Sequence, residues 1–301
     1  MSGSAVAVFT HPDCLAHDPG PGHPETPARL EAVLEALRDE PLADVRQATP
    51  ATDAPLLAVH PAAHLARLEA VARGGGGAIS GDTAMSPRSW AAVRGAAGAV
   101  VAAVTHAHEG RGHAFAAARP PGHHALASTA MGFCFVNTVV VGAREAQRLG
   151  RERVLIIDWD VHHGNGTQAL VEDDPSIRFV SLHRYPWYPG TGAASERGVG
   201  NVFNVPRPPD LPPDEYVRDL WRAVQAALAG WSPDLVLLSA GYDAMRGDPL
   251  GGFTLEPGHY AELVRRLRAA LPDVPLVGVL EGGYLPGRVA RGVVATVGAL
   301  A

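Results

Sequence analysis

The sequence has no lysine: all 25 of its basic residues are arginine, against 31 acidic ones, for a formal charge of −6. Nothing in that balance suggests wrapping the phosphate backbone of nucleic acid, which needs a basic face, so no nucleic-acid partner is expected. With alanine, glycine and proline abundant, the missing lysine points to a GC-rich, bacterial coding genome. Cysteine is scarce as well. Cys14 and Cys134 lie too far apart to read as a disulfide framework and no C-x-x-C pair occurs, which makes a reducing cytoplasm the expected home. Long apolar runs are missing too. Ser4 to Phe9 is short, has no cationic segment before it and no small-residue cleavage pattern, and reads as the first buried strand. Gly95 to Ala107, mostly alanine and valine, is too short and too weakly apolar to span a bilayer, so no membrane partner is expected. No internal repeat and no linker divides the 301 residues, and 47% hydrophobic content is enough to bury a substantial core.

What is present alternates between two periods. Thr26 can cap a helix with Pro27 at its first position, followed by Leu30, Val33, Leu34 and Leu37 on one face. Pro61 to Arg73 repeats that pattern through Leu65, Leu68 and Val71, and Gly74 to Gly77 breaks it. The glycine run as far as Gly81 reads as a mobile loop. Ser86 and Pro87 start a further helix running to about His108. Between such segments lie short apolar runs that each end in polar residues. Ala114–Ala118 leads into Arg119 to His124, Arg153–Ile157 into Asp158 to His163, and Arg178–Leu182 into His183. Asp234–Leu238 leads into Ser239 to Asp243, and Pro275–Leu280 into Glu281 to Tyr284. Alternating strands and helices predict an α/β fold with a mostly parallel sheet covered by helices, and ligands of such sheets sit beyond the carboxyl ends of the strands. The five endings are therefore expected to meet in one crevice.

Asp160-x-His162 alone has the bland reading of an exposed loop. Just beyond a buried strand, however, the alternating spacing can aim both side chains the same way, and one imidazole with carboxylates suits zinc; Asp243 offers a third ligand. Three protein ligands leave an open position for water and a carbonyl. Tandem histidines often only satisfy loop backbone, but His123 and His124 have partners in Asp158 and Asn165, which can orient the two rings. His124 can then take a proton and return it to a leaving amine. Tyr284, an ordinary strand-end aromatic elsewhere, follows two glycines and can donate to a carbonyl oxygen. Phe133 and Tyr188, in Gly- and Pro-rich loops, can wall a narrow apolar tube. Trp159, Trp187, Phe253 and Cys134 read as packing, and His23, His60 and His64 as polar loop or helix residues.

These segments resemble the histone deacetylase family of zinc hydrolases. The similarity runs from Gly22-His23-Pro24-Glu25-Thr26-Pro27-Ala28-Arg29-Leu30 to Leu280–Tyr284. It is densest in RPPGHHA (119–125), GFCFVN (132–137), DWDVHHGNGTQ (158–168), YPGTG (188–192) and SAGYDAMRGDPLGG (239–252). The resemblance implies a single α/β domain over residues 1–301 with an arginase-like, three-layer, doubly wound, mostly parallel sheet. It implies zinc on Asp160, His162 and Asp243, the last in preference to Asp248. His124 is then general base and acid, His123 its electrostatic partner, and Tyr284 the carbonyl polariser. Gly132, Phe133, Tyr188 and Leu250 fall at substrate-binding positions. Asp158, Asp160, His162, Ser181 and Leu182 match a structural potassium site, in a family with one or two.

Asn165, where other branches carry Asp, and the Asp-Pro-Leu-Gly-Gly run are similar to the class II branch. Tyr284 stands where a low-activity subgroup has His, Tyr188 replaces the commoner Phe, and Leu250 replaces the Glu of a polyamine-specialised member. The implied substrates are an acyl-lysine peptide or protein, or an acylated small amine such as a polyamine; oligomeric state is left open. A binuclear ureohydrolase would need extra carboxylates. A catalytically silent acyl-lysine binding module would not need His123, His124 and Tyr284 intact.

Overall fold

The computed structural model describes residues 5–301; Ser4, where the sequence predicts the first strand to begin, lies outside them. The chain forms β1 (Val6–Thr10), α1 (Ala28–Arg38), β2 (Ala43–Gln47), α2 (Asp53–Leu57), α3 (Ala62–Arg73), β3 (Gly77–Ala78) and β4 (Ala84–Met85). It continues through α4 (Ser89–His108), β5 (Ala114–Ala116), α5 (Thr138–Arg148), β6 (Val154–Asp158), α6 (Asn165–Val171), β7 (Ile177–Arg184) and β8 (Val202–Arg207). The last elements are α7 (Pro213–Leu228), β9 (Leu235–Ala240), α8 (Pro257–Ala270), β10 (Leu276–Leu280) and α9 (Pro286–Leu300).

Among the described residues one sheet has the order β2-β1-β5-β10-β9-β6-β7-β8, with every neighbouring pair parallel. The central strands β6, β9 and β10 are buried along their whole length, which is why they appear in the sequence as unbroken apolar runs. Helices α1, α7, α8 and α9 pack together on one face, and α4, α5 and α6 cover the other. The result is the three-layer, doubly wound α/β arrangement expected.

The Gly95–Ala107 stretch belongs to α4, whose small residues bring it against β1, β5 and β10. No helix among the described residues is long and apolar enough to cross a membrane. The glycine run is not an open loop: Gly77–Ala78 pairs antiparallel with Ala84–Met85. The turn between them is gathered by Asp82 Oδ1, which accepts from the Ser80 and Thr83 hydroxyls at 3.0 and 2.8 Å. Pro27 rather than Thr26 is the N-cap of α1, and no side chain caps it. The helix predicted from Ser86 begins at Ser89, and β7 continues through His183 instead of ending before it.

Beneath the strand ends lies a buried ion cluster spanning distant parts of the chain. Glu25 accepts from Arg29 Nη1 at 2.7 Å and from Arg119 Nε and Nη2 at 2.6 Å each, with all three residues fully buried. Burial opposes its charge, yet Arg119, then His17 and Arg29, hold the Glu25 carboxyl well below the usual range. Arg29 donates onward to the carbonyl oxygens of Glu281 and Gly283, so the cluster fixes the loop after β10. Glu25→Ala would strand two buried guanidinium groups, with an expected loss of about 3–5 kcal/mol in stability. Urea unfolding curves of variant and wild type measure it.

Candidate active site

The chain leaves β6 toward β7 on one side and leaves the adjacent β9 toward β10 on the other. Connections diverging from neighbouring strands open a crevice at their carboxyl ends. Asp158 closes β6 and pairs in register with Ser239 of β9, so Asp160, His162 and Asp243 emerge side by side. Each presents one donor atom, all within 4.8 Å of one another. His162 Nδ1 lies 3.0 Å from Asp160 Oδ1 and 3.1 Å from Asp243 Oδ2. Backbone amides hold the carboxylates: His162 N and Gly282 N donate to Asp160 at 2.9 and 2.8 Å, and Val161 N to Asp243 at 2.7 Å.

Two glycines permit this closeness. A Cβ at Gly241 would run into the Asp160 carboxylate, and one at Gly282 into both Asp160 and Asp243. Burial, and next the charge of Asp160, push the Asp243 carboxyl up to about 7. Burial works against a charged His162, yet hydrogen bonds to Asp160 and Asp243 push it up to about 9. Two buried carboxylates and an imidazole converging within 4.8 Å form a donor set suited to a divalent ion such as zinc.

The tandem histidines reach the crevice from the loop after β5 and have different partners. His123 Nδ1 is 3.0 Å from Asp158 Oδ2. Burial disfavours its charge, but Asp160 and Asp158 raise its pKa well above the ordinary value. His124 Nδ1 is 2.7 Å from Asn165 Oδ1, while Asn165 Nδ2 donates to Met131 Sδ at 3.5 Å, which sets the amide's orientation. Asn165 Oδ1 thus accepts from His124 Nδ1–H and leaves the Nε2 lone pair free. Burial, then His123 and His162, push the pKa of His124 well down. The environments push the two imidazole pKa values in opposite directions, His123 up and His124 down.

Above the cluster is a pocket of about 220 Å³ lined by Asp82, His124, Gly132, Phe133, His162, Trp187, Tyr188, Leu250 and Tyr284. Phe133 is held at φ 67°, an uncommon conformation for a bulky residue, with its ring edge-on to His23 at 4.6 Å and to Tyr284 at 5.7 Å. Tyr188 stands edge-on to His124 at 5.1 Å. Tyr284 N donates to Asp248 Oδ2 at 2.7 Å, and Leu250 N to Asp248 Oδ1 at 2.9 Å. Asp248 therefore holds the loop of Tyr284 and stands apart from the three-donor cluster.

The structure brings together His123, His124, Asp158, Asp160, His162, Asn165, Asp243 and Tyr284, with Gly132, Phe133, Tyr188 and Leu250 above them. Ser181 and Leu182 are buried within β7, with Ser181 paired in register with Asp158. Trp159, Phe253 and Cys134 are buried packing residues, as expected, but Trp187 is not: it lines the pocket and is 39% exposed. His23 backs the pocket wall through Phe133. His60 and His64 are buried, bonded at 3.0 and 2.9 Å to the carbonyl oxygens of Ala127 and Phe135.

Sequence reasoning also passed over Asp82 and Glu281. Glu281 Oε2 accepts from Gly122 N at 2.7 Å and His123 N at 3.1 Å, and burial pushes its carboxyl up to about 7. Its place directly before Gly282-Gly283-Tyr284 was the available signal. Glu281→Ala leaves two buried amides without an acceptor, each costing about 1–3 kcal/mol, whereas Glu281→Gln keeps an acceptor oxygen. Thermal melting is expected to rank wild type, Gln and Ala in descending order.

The histone deacetylase domain family matches residues 23–300. The chain is 36% identical to the histone deacetylase-like amidohydrolase of Pseudomonas aeruginosa, over 93% of this chain and 81% of that protein. It is 44% identical to an uncharacterized protein of Synechocystis sp., over 97% of this chain and 98% of the other. Among solved structures, the crystal structure of the HDA15 HD domain superposes with a TM-score of 0.94 at 36% identity, covering 99% of this chain and 88% of that one.

Proposed function

The chain belongs to the histone deacetylase family, and on that premise we propose that it is a zinc-dependent amide hydrolase removing acetyl or other acyl groups from amines, with acetyl-lysine in a peptide or protein as the principal substrate. The observation that carries this is the placement of His124 and Tyr284 with the Asp160–His162–Asp243 cluster in one narrow apolar pocket. Zinc, when bound by those three side chains, supplies Lewis acidity for a carbonyl and for water.

The remaining work falls to the chain's own groups. Phe133 and Tyr188 hold the methylene chain of the acylated amine between their rings, and Gly132 and Leu250 complete the wall. His124 Nε2, neutral and oriented by Asn165, takes a proton from the attacking water and gives it to the departing amine nitrogen. His123, kept cationic by Asp158, stabilises negative charge beside it. The Tyr284 hydroxyl donates to the carbonyl oxygen as charge develops. Asp158, Asp160, His162, Ser181 and Leu182 hold a structural potassium ion. Residues 1–301 act as one deacetylase domain, and the free, buried Cys14 and Cys134 fit a reducing cytoplasm.

A second reading, hydrolysis of an acylated polyamine, is favoured by Asp82, a carboxylate lining the pocket that could meet a distal ammonium. Acetate release from an acetyl-lysine peptide and from acetylputrescine, each with and without a chelator, tests both. We expect chelator-sensitive release, larger from the peptide. No release from either substrate by the zinc-loaded protein would sink the proposal.

A further inference from the structure

Trp187 is exposed yet fixed. Its indole Nε1–H donates to Leu250 O at 3.0 Å, and the guanidinium carbon of Arg184 sits 3.5 Å over the ring centre. Arg184 Nη1 in turn donates to Gly251 O at 2.8 Å, so the loop after β7 and the Asp248–Gly252 turn grip the same side chain. An aromatic held in place this way loses little conformational entropy when a partner stacks on it, as in preorganised recognition surfaces. The two groups that fix it, Leu250 O and Arg184, belong neither to the three-donor cluster nor to His124.

The chemistry of the partner follows from what already touches the ring. Arg184 engages one face as a cation–π pair, so a second cation on the exposed side would meet both a committed ring and a fixed positive charge. A neutral apolar or aromatic group can stack on the same ring without that repulsion.

We propose that Trp187 is a specificity-determining residue whose exposed ring receives the side chain next to the acylated lysine, so that the protein selects peptides with an apolar or aromatic neighbour over those with a basic one, and over acylated free polyamines. This rests on the deacylase function proposed above. The test uses zinc-loaded wild type, Trp187→Ala and Trp187→Phe with acetyl-lysine peptides differing only in a neighbouring Phe, Ala or Lys. Dissociation constants come from fluorescence polarisation of labelled peptides, and kcat and KM from acetate release.

Wild type is expected to bind the Phe peptide about 5–10-fold more tightly than the Ala peptide, with the Lys peptide weakest. Trp187→Ala is expected to bring the Phe-to-Ala ratio to about one, and Trp187→Phe to keep most of it, with the loss falling on KM rather than kcat. A ratio unchanged in Trp187→Ala, or a fall in kcat shared equally by all peptides, would overturn the assignment. Absence of turnover on every peptide would overturn the deacylase function instead, and the binding ratios would still decide the role of Trp187.

Discussion

Replacing Tyr284 with Phe is expected to lower kcat on an acetyl-lysine peptide by about 10²–10³-fold while zinc content stays at about one per chain. The substitution removes one oxygen and leaves the supports of the ring intact. The backbone of Tyr284 is anchored through Asp248, its ring meets Phe133 edge-on, and the Arg29 guanidinium carbon lies 5.1 Å from its centre. Burial, and then the charge of Asp243, push the phenol pKa well above its ordinary value, so the hydroxyl remains a donor throughout the physiological range. A group that acts as charge develops on the carbonyl oxygen affects kcat more than KM. Steady-state kinetics with metal analysis on the same preparation checks both parts, and an unchanged kcat would remove Tyr284 from the mechanism.

The residues that meet in the crevice were legible because two independent signals coincide at them. Asp160, His162, Asp243, His124 and Tyr284 are chemically able types, and each follows an apolar run that becomes a buried strand. Residues with only one signal were missed or misread. Trp187 is apolar and sits in a proline-rich loop, so its composition matches core packing, and only the fold places it at a pocket mouth. Glu281 is a single carboxylate whose partners are backbone amides, which leave no trace in the order of side chains, and Asp82 reaches the pocket through the backbone amide of Gly132, 50 positions away. The Glu25–Arg29–Arg119 cluster joins residues 94 positions apart, beyond the reach of local pattern. Strands β2 and β8 lie at the sheet edges and are only partly buried, so they lack the unbroken apolar runs that mark β6, β9 and β10.

Asp243→Asn is expected to deprive the protein of its metal and at least about 10³-fold of its turnover, because both the Lewis acid and the activated water are lost together. The fold should not share that loss. In the metal-free protein Asp160 and Asp243 are two buried carboxylates facing each other, and Asn removes one charge while keeping the shape. The pH dependence separates the two effects. Burial and the charge of Asp160 push the Asp243 carboxyl from its ordinary 3.8 up to about 7, so its contribution to metal-free stability is fully present below about 3.8 and is lost as pH rises through about 7. Asp243→Asn lacks that group and should flatten this part of the melting curve series. Zinc affinity of the wild type runs the other way: the metal must displace the proton that Asp160 and Asp243 hold on His162, whose pKa is about 9. Affinity is therefore expected to climb between pH of about 6 and about 9 in competition with a chelator. A pH-independent affinity, or a metal-loaded and active Asp243→Asn, would mean that Asp243 and His162 are not the ligands.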